Sequence, residues 1–375
     1  LRNLEKTGRW AGALGLDALR LGMALRLGVI LAAGGALCAQ QPATPAQRPT
    51  VSLSTDADPV PSPDAEALPA ATADAGQTAK TPASQVQQQG GHYTLQTNAY
   101  EVRLNASVID GAGQPVDSLP ETAFHVYEDG VPQAITGFRH EDLPVSLGIL
   151  IDSSGSMYDK RAAVDAASLD LVKLSNPKDE AFLVDFSSEA FIDQDFTSDI
   201  AKLQSGLSYI KSSGGTALYD AVVASADYLA KNAKRPKQVL LIVTDGDDNA
   251  SSATLEEAIR SVQGLDGPAI YCIGLLFGED VSRSEARHSK EVLTELAEQT
   301  GGEAYFPRSL KEVDGITRAV AQDIRTQYTI EYKSTNPPEK GGYRQIHVEA
   351  KEKGFRGLQV RTRTGYFPKV AAAGK

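Results

Sequence analysis

The string Asp152-Ser153-Ser154-Gly155-Ser156 sets a carboxylate and two hydroxyls at i, i+2 and i+4, and Gly155 leaves the backbone room to curl. Gly214-Gly215-Thr216 offers another hydroxyl on a glycine-loosened loop, and Thr244-Asp245-Gly246 offers a second carboxylate. Taken singly, serines at a helix start are commonly caps. Taken together, two carboxylates and three hydroxyls make an all-oxygen donor set that suits a hard divalent cation in octahedral geometry. Other chemistry is sparse. His92, His125, His140, His288 and His347 show no HxH or HExxH spacing, so a histidine-ligated catalytic metal has little support. Neither GxSxG nor GxxxxGK[ST] occurs. Asp245, Asp247, Asn249, Ser251 and Glu256 mimic a calcium loop, but Ala250 stands where such a loop needs glycine. Solvated or capping roles are expected for Asp247 and Asp248.

Each carboxylate follows a buried type of strand. Val145-Ser-Leu-Gly-Ile-Leu-Ile and Val239-Leu-Leu-Ile-Val are nearly continuous apolar runs, and Ala269-Ile-Tyr-Cys-Ile-Gly-Leu-Leu is a third. Such runs suit strands covered on both faces of a parallel sheet, and Cys272 within one is expected to be a small core residue. Helical stretches are predicted over 161–174, 217–231, 254–263, 289–300 and 310–325. Thr254 followed by Glu257 matches a capping box, and Gly301-Gly302 closes a helix. Strand and helix alternating over 143–326 predict a doubly wound α/β domain with a mainly parallel sheet. Ligand sites in such sheets gather outside the carboxyl ends of the strands, where strand order reverses.

On either side the texture changes. Residues 92–142 alternate at period two between tight turns, and residues 327–369 repeat the pattern around Asn336-Pro337-Pro338, Gly341-Gly342 and Gly354. Together the two pieces have the size of an immunoglobulin-like sandwich, so the α/β domain is expected to be inserted in a split β-sandwich. Residues 40–91 are rich in Pro, Ala and Gln and contain no aromatic ring before the sandwich, which predicts a disordered linker. Residues 1–39 carry Arg2, Lys6, Arg9, Arg20 and Arg26, then an apolar run from Leu27 to Leu37 with a small-residue exit. This reads as a signal peptide, with the mature chain starting near Ala39 or Gln40. Leu37 before Cys38 argues against lipidation there. The net charge of −11 without a basic block disfavours nucleic acid as a partner, and no integral membrane span is expected in the mature chain.

The order and spacing of the three oxygen-bearing pieces resemble the von Willebrand factor type A (VWA) domain, a Rossmann-like fold, and its metal-ion-dependent adhesion site. The resemblance makes Asp152, Ser154 and Ser156 the DxSxS ligands, Thr216 the threonine ligand and Asp245 the aspartate ligand. The flanking strings Asp110-Gly-Ala-Gly-Gln-Pro-Val, Glu128-Asp-Gly-Val-Pro-Gln-Ala-Ile and Gly365-Tyr-Phe resemble the bacterial secreted VWFA-related acidobacterial domain family. The resemblance implies Mg²⁺, or Mn²⁺ or Ca²⁺, as cofactor. It also implies a protein ligand whose Asp or Glu carboxylate completes the ion's shell. The expectation is a secreted, periplasmic or envelope binding protein without enzymatic activity. Two alternatives are a scaffold with a structural metal and a metal-dependent hydrolase.

Overall fold

The computed structural model describes residues 53–55, 88–89, 92–93, 101–174, 176–264, 267–277, 282–337 and 340–368. The expected signal peptide and most of the expected linker lie outside the described residues. In chain order the first strands are β1 (Ser54–Thr55), β2 (Gln88–Gln89), β3 (His92–Tyr93), β4 (Glu101–Ile109), β5 (Phe124–Glu128), β6 (Val131–Gln133) and β7 (Ile135–Arg139). An alternating segment follows: β8 (Val145–Asp152), α1 (Arg161–Lys173), β9 (Glu180–Phe186), β10 (Ala190–Thr197), α2 (Ile200–Leu207), α3 (Leu218–Asn232) and β11 (Lys237–Thr244). It continues through α4 (Leu255–Gln263), β12 (Ala269–Gly274), α5 (Arg283–Thr300), β13 (Ala304–Tyr305) and α6 (Leu310–Arg325). The last strands are β14 (Tyr328–Lys333), β15 (Arg344–Ala350), β16 (Gln359–Arg361) and β17 (Gly365–Tyr366).

The alternating segment is a mixed α/β unit with a mainly parallel sheet of order β1-β10-β9-β8-β11-β12-β13. Only the β9–β10 pair is antiparallel. Period-two alternation splits each buried strand between two cores. Leu147, Ile149 and Ile151 of β8 join Val239, Leu241 and Val243 of β11 beneath α1, α2 and α6. Leu150, Leu240 and Ile242 face the other way, against α3, α4 and α5, with Cys272 fully buried beside them. Gly148 is required by this second core, because a Cβ there would sit 2.5 Å from both Leu240 Cδ2 and Phe182 Cζ.

Three local features depart from expectation. The last long helix before α6 begins at Arg283, six residues ahead of the predicted Ser289, and Ser282 with Glu285 forms its capping box. Helix α2 was not predicted; the Asp199 side chain caps it by accepting from Ala201 N. Within the stretch expected to be an unstructured linker, Ser54–Thr55 pairs in parallel with Phe191 and Ile192, while Leu53 packs on the second core. The edge strand β10 leaves backbone groups to be paired there, and this short apolar-led segment pairs with them.

Strands from before and after the α/β unit pair with each other. One four-stranded sheet has the order β16-β4-β14-β7 and another β17-β15-β5-β6, with antiparallel pairing throughout. Val102, Leu104, Phe124, Val126, Ile330 and Val348 belong to one buried cluster fed by both sheets. Glu128 lies inside it, accepting from Tyr332 Oη at 2.7 Å, Tyr366 Oη at 2.9 Å and Ser334 Oγ at 2.6 Å, with Arg344 Nη1 at 3.4 Å. Where the chain passes between the two parts, Arg325 at the end of α6 pairs with Asp142 at 2.8 Å and also with Asp179. Arg361 of β16 reaches Asp323 of α6 at 2.6 Å.

Candidate metal centre

Strand order reverses at β8: the chain moves to β9 on one side, then returns to β11 on the other. Carboxyl ends of β8 and β11 therefore flank the crevice where ligands of open α/β sheets sit. The register pairs Ile151 with Val243, which brings Asp152 and Thr244 abreast. Thr244 Oγ1 donates to Asp152 Oδ2 at 2.5 Å, and Ser154 N donates to Asp152 Oδ1 at 2.8 Å. Burial holds the fully enclosed Asp152 carboxyl above its ordinary range; the hydrogen bonds from Ser154 and Thr244 oppose this, and the negative charge of Asp245 adds to it.

A single turn of tight helix over Gly155–Met157 anchors the loop through buried Met157 and leaves Ser156 at the surface. Ser156 Oγ donates to Asp245 Oδ1 at 2.7 Å and lies 3.1 Å from Ser154 Oγ. Hydroxyls from the end of β8 thus meet a carboxylate from the end of β11. Thr216 arrives on a third segment, buried, with its Oγ1 3.8 Å from the position a Cβ would take on Gly246. That segment is tied to the first loop by Ser213 N donating to Ser153 O at 2.7 Å. Gly214 has φ +83°, a backbone conformation that favours glycine, and a Cβ there would push on Ser188 Oγ at 2.8 Å.

Several contributors were not read from the sequence. Asn249 Oδ1 accepts from Thr216 N at 2.9 Å, while Asn249 N and Ala250 N donate to Thr216 O. Asn249, a member of the calcium-loop look-alike, instead sets the position of Thr216. Asp248 accepts from Ser251 and Tyr219 N, and Asp247 accepts from Ser289 Oγ on α5. These are loop-fastening bonds, as expected for capping carboxylates. Lys160, just before α1, places Nζ 2.5 Å from Asp245 Oδ2 and 5.8 Å from the Phe277 ring centroid. Among the described residues no group of three or more His, Cys, Asp and Glu could hold a metal, so the hydroxyls are indispensable to any cation site here.

The residues present fit a hard divalent cation: apart from the Lys160 ammonium on Asp245, which cannot ligate a metal, the side-chain groups gathered at the crevice offer oxygen, and two of them are carboxylates at least nine-tenths buried. Neutral hydroxyls would supply most of the direct contact, which suits Mg²⁺ better than a soft metal.

Residues 147–247 match the family model of the von Willebrand factor type A domain, and the chain carries a domain of that type. Among solved structures, the protein BatB from Bacteroides thetaiotaomicron is 19% identical over 48% of this chain and 97% of its own, at TM-score 0.39. A von Willebrand factor type A protein from Catenulispora acidiphila is 16% identical over 72% of this chain and 75% of its own, at TM-score 0.42. The vWF domain of the type V pili tip protein Mfa5 from Porphyromonas gingivalis is 13% identical over 49% and 95%, at TM-score 0.40. No curated protein sequence matches the chain.

Proposed function

We propose that the VWA domain binds a protein partner through a divalent cation held by Ser154, Ser156, Thr216, Asp152 and Asp245. The observation that carries this reading is the bridge made by Ser156 Oγ, 3.1 Å from Ser154 Oγ and 2.7 Å from Asp245 Oδ1, which joins donors from two strand ends. Both Asp152 oxygens are already engaged by Ser154 N and Thr244, so its role is to orient and to supply charge. When bound, a Mg²⁺ or Mn²⁺ ion supplies an electrophilic position for a carboxylate oxygen of the partner's Asp or Glu. Tyr158, 76% exposed beside this crevice, offers an aromatic contact at its rim.

The same reading makes the chain a binding protein rather than an enzyme, acting outside the cytoplasm or at the envelope. The location rests on the signal-like pattern of residues 1–39. Among the described residues no helix is long and apolar enough to cross a membrane. The two flanking sheets are read as an immunoglobulin-like sandwich that displays the VWA domain. The test is capture from the native cell envelope with and without EDTA, using wild type beside Asp152→Ala. Capture lost in both EDTA and the variant agrees with the proposal; capture indifferent to both sinks it.

A further inference from the structure

We infer that Lys160 is a built-in counter-cation of the metal centre, competing with the divalent ion for Asp245 and setting how much free metal the site needs. This rests on the proposed metal reading and adds a control to it.

The two oxygens of Asp245 are used differently. Oδ1 accepts from Ser156, a proposed ligand, while Oδ2 takes the Lys160 ammonium at 2.5 Å. Asp245 is 4% exposed and Asp152 is fully buried, so the crevice concentrates two negative charges with little water to screen them. Like charges so placed raise the cost of the ligand-free site. An ammonium at this spot offsets part of that cost. The same ammonium opposes a dication beside Asp245, because positive charges a few ångströms apart repel strongly where water is scarce.

Lys160 is suited to both states. Its side chain is mostly but not wholly covered, and it stands at the junction between the metal loop and α1 rather than inside the sheet. A lysine is a compact point charge on a flexible stem, so it can leave Asp245 without moving the backbone. Phe277 lies 5.8 Å from Nζ and gives the ammonium a second favourable neighbour on that side of the crevice. Lys160 is thus expected to lower the affinity of the site for divalent ions while protecting the ligand-free fold.

Lys160→Gln separates this role from simple packing, because two readouts move in opposite directions. In EDTA the variant melts at a lower temperature than wild type, since Asp152 and Asp245 lose their counter-charge. In calorimetric titration with MgCl₂ and MnCl₂ it binds about tenfold more tightly. Lys160→Arg keeps the charge and stays close to wild type in metal affinity. Asp152→Ala serves as the reference for a lost site. Equal or weaker metal binding by Lys160→Gln, with wild type binding normally, overturns the counter-cation and leaves the metal reading standing. Absence of Mg²⁺ and Mn²⁺ binding to wild type itself removes the metal reading, and this inference with it.

Discussion

Thr244 and Asp152 stand side by side on neighbouring parallel strands, and the threonine hydroxyl donates to the carboxylate at 2.5 Å. Both are fully buried, so this bond is one of the few forces holding a charge at the floor of the crevice. Thr244→Val keeps the shape and removes the donor. It should cost about 1–3 kcal/mol of stability, the range for leaving a buried polar group unpaired. Metal affinity should fall about tenfold, because a less anchored Asp152 ionises less readily. Urea melts in EDTA give the first quantity and Mn²⁺ titration the second; unchanged metal affinity would show that Asp152 needs no such support.

Lys237 gives a pH dependence remote from the metal crevice. It is buried at the start of β11, donates to Ile324 O at 2.7 Å, and burial, with the charge of Arg325 second, pushes its ammonium down to about 8. With a folded value below the unfolded 10.5, the unfolded chain binds more protons between the two, so stability rises with pH across that window. The penalty is complete below about pH 8 and is relieved above it, with a ceiling of about 3 kcal/mol. Denaturant melts from pH 8 to pH 9.5 should show wild type gaining stability relative to Lys237→Met, whose own curve falls as the unfolded chain ionises Cys272, a thiol that burial keeps protonated in the fold. Parallel slopes for the two proteins would contradict the assignment.

Glu128 concentrates the polar energy of the flanking sheets. Its carboxylate takes hydroxyls from Tyr332, Tyr366 and Ser334, and it neutralises an Arg344 whose side chain is 1% exposed. Glu128→Ala strands that arginine and should destabilise the protein by about 3–5 kcal/mol, the usual cost of breaking a buried pair from one side. Glu128→Gln, which keeps an acceptor, should cost less. Chemical denaturation measures both; a loss below about 1 kcal/mol for Glu128→Ala would mean water reaches the pocket.

How far these features can be read from sequence follows from how local they are. Asp152, Ser154, Ser156, Thr216 and Asp245 announce themselves because each sits in a short string whose glycines and preceding apolar run carry their own meaning. Cores follow from the same runs, since alternation along β8 and β11 assigns each side chain to a face. Helix α5 begins early because Arg283 to His288 form a polar first turn and a half that periodicity overlooks; the Ser282–Glu285 capping box was the available signal. Strand β10 is half-buried along its length and mixes Asp and Gln with apolar residues, so neither alternation nor a continuous run marks it. Thr244, Asn249 and Lys160 act through space on residues 92, 33 and 85 positions away, and no spacing rule reaches across such gaps.

The most direct test of the central claim is calorimetric titration of Mn²⁺ into the whole chain and into Asp245→Ala, both shown to be folded by their thermal transitions. Asp245 lies at a strand end, so its loss should spare the sheet while removing the carboxylate that Ser156 and Lys160 share. The account predicts one binding event per wild-type chain and none in the variant. Undiminished binding by Asp245→Ala, or no binding by wild type, would contradict it.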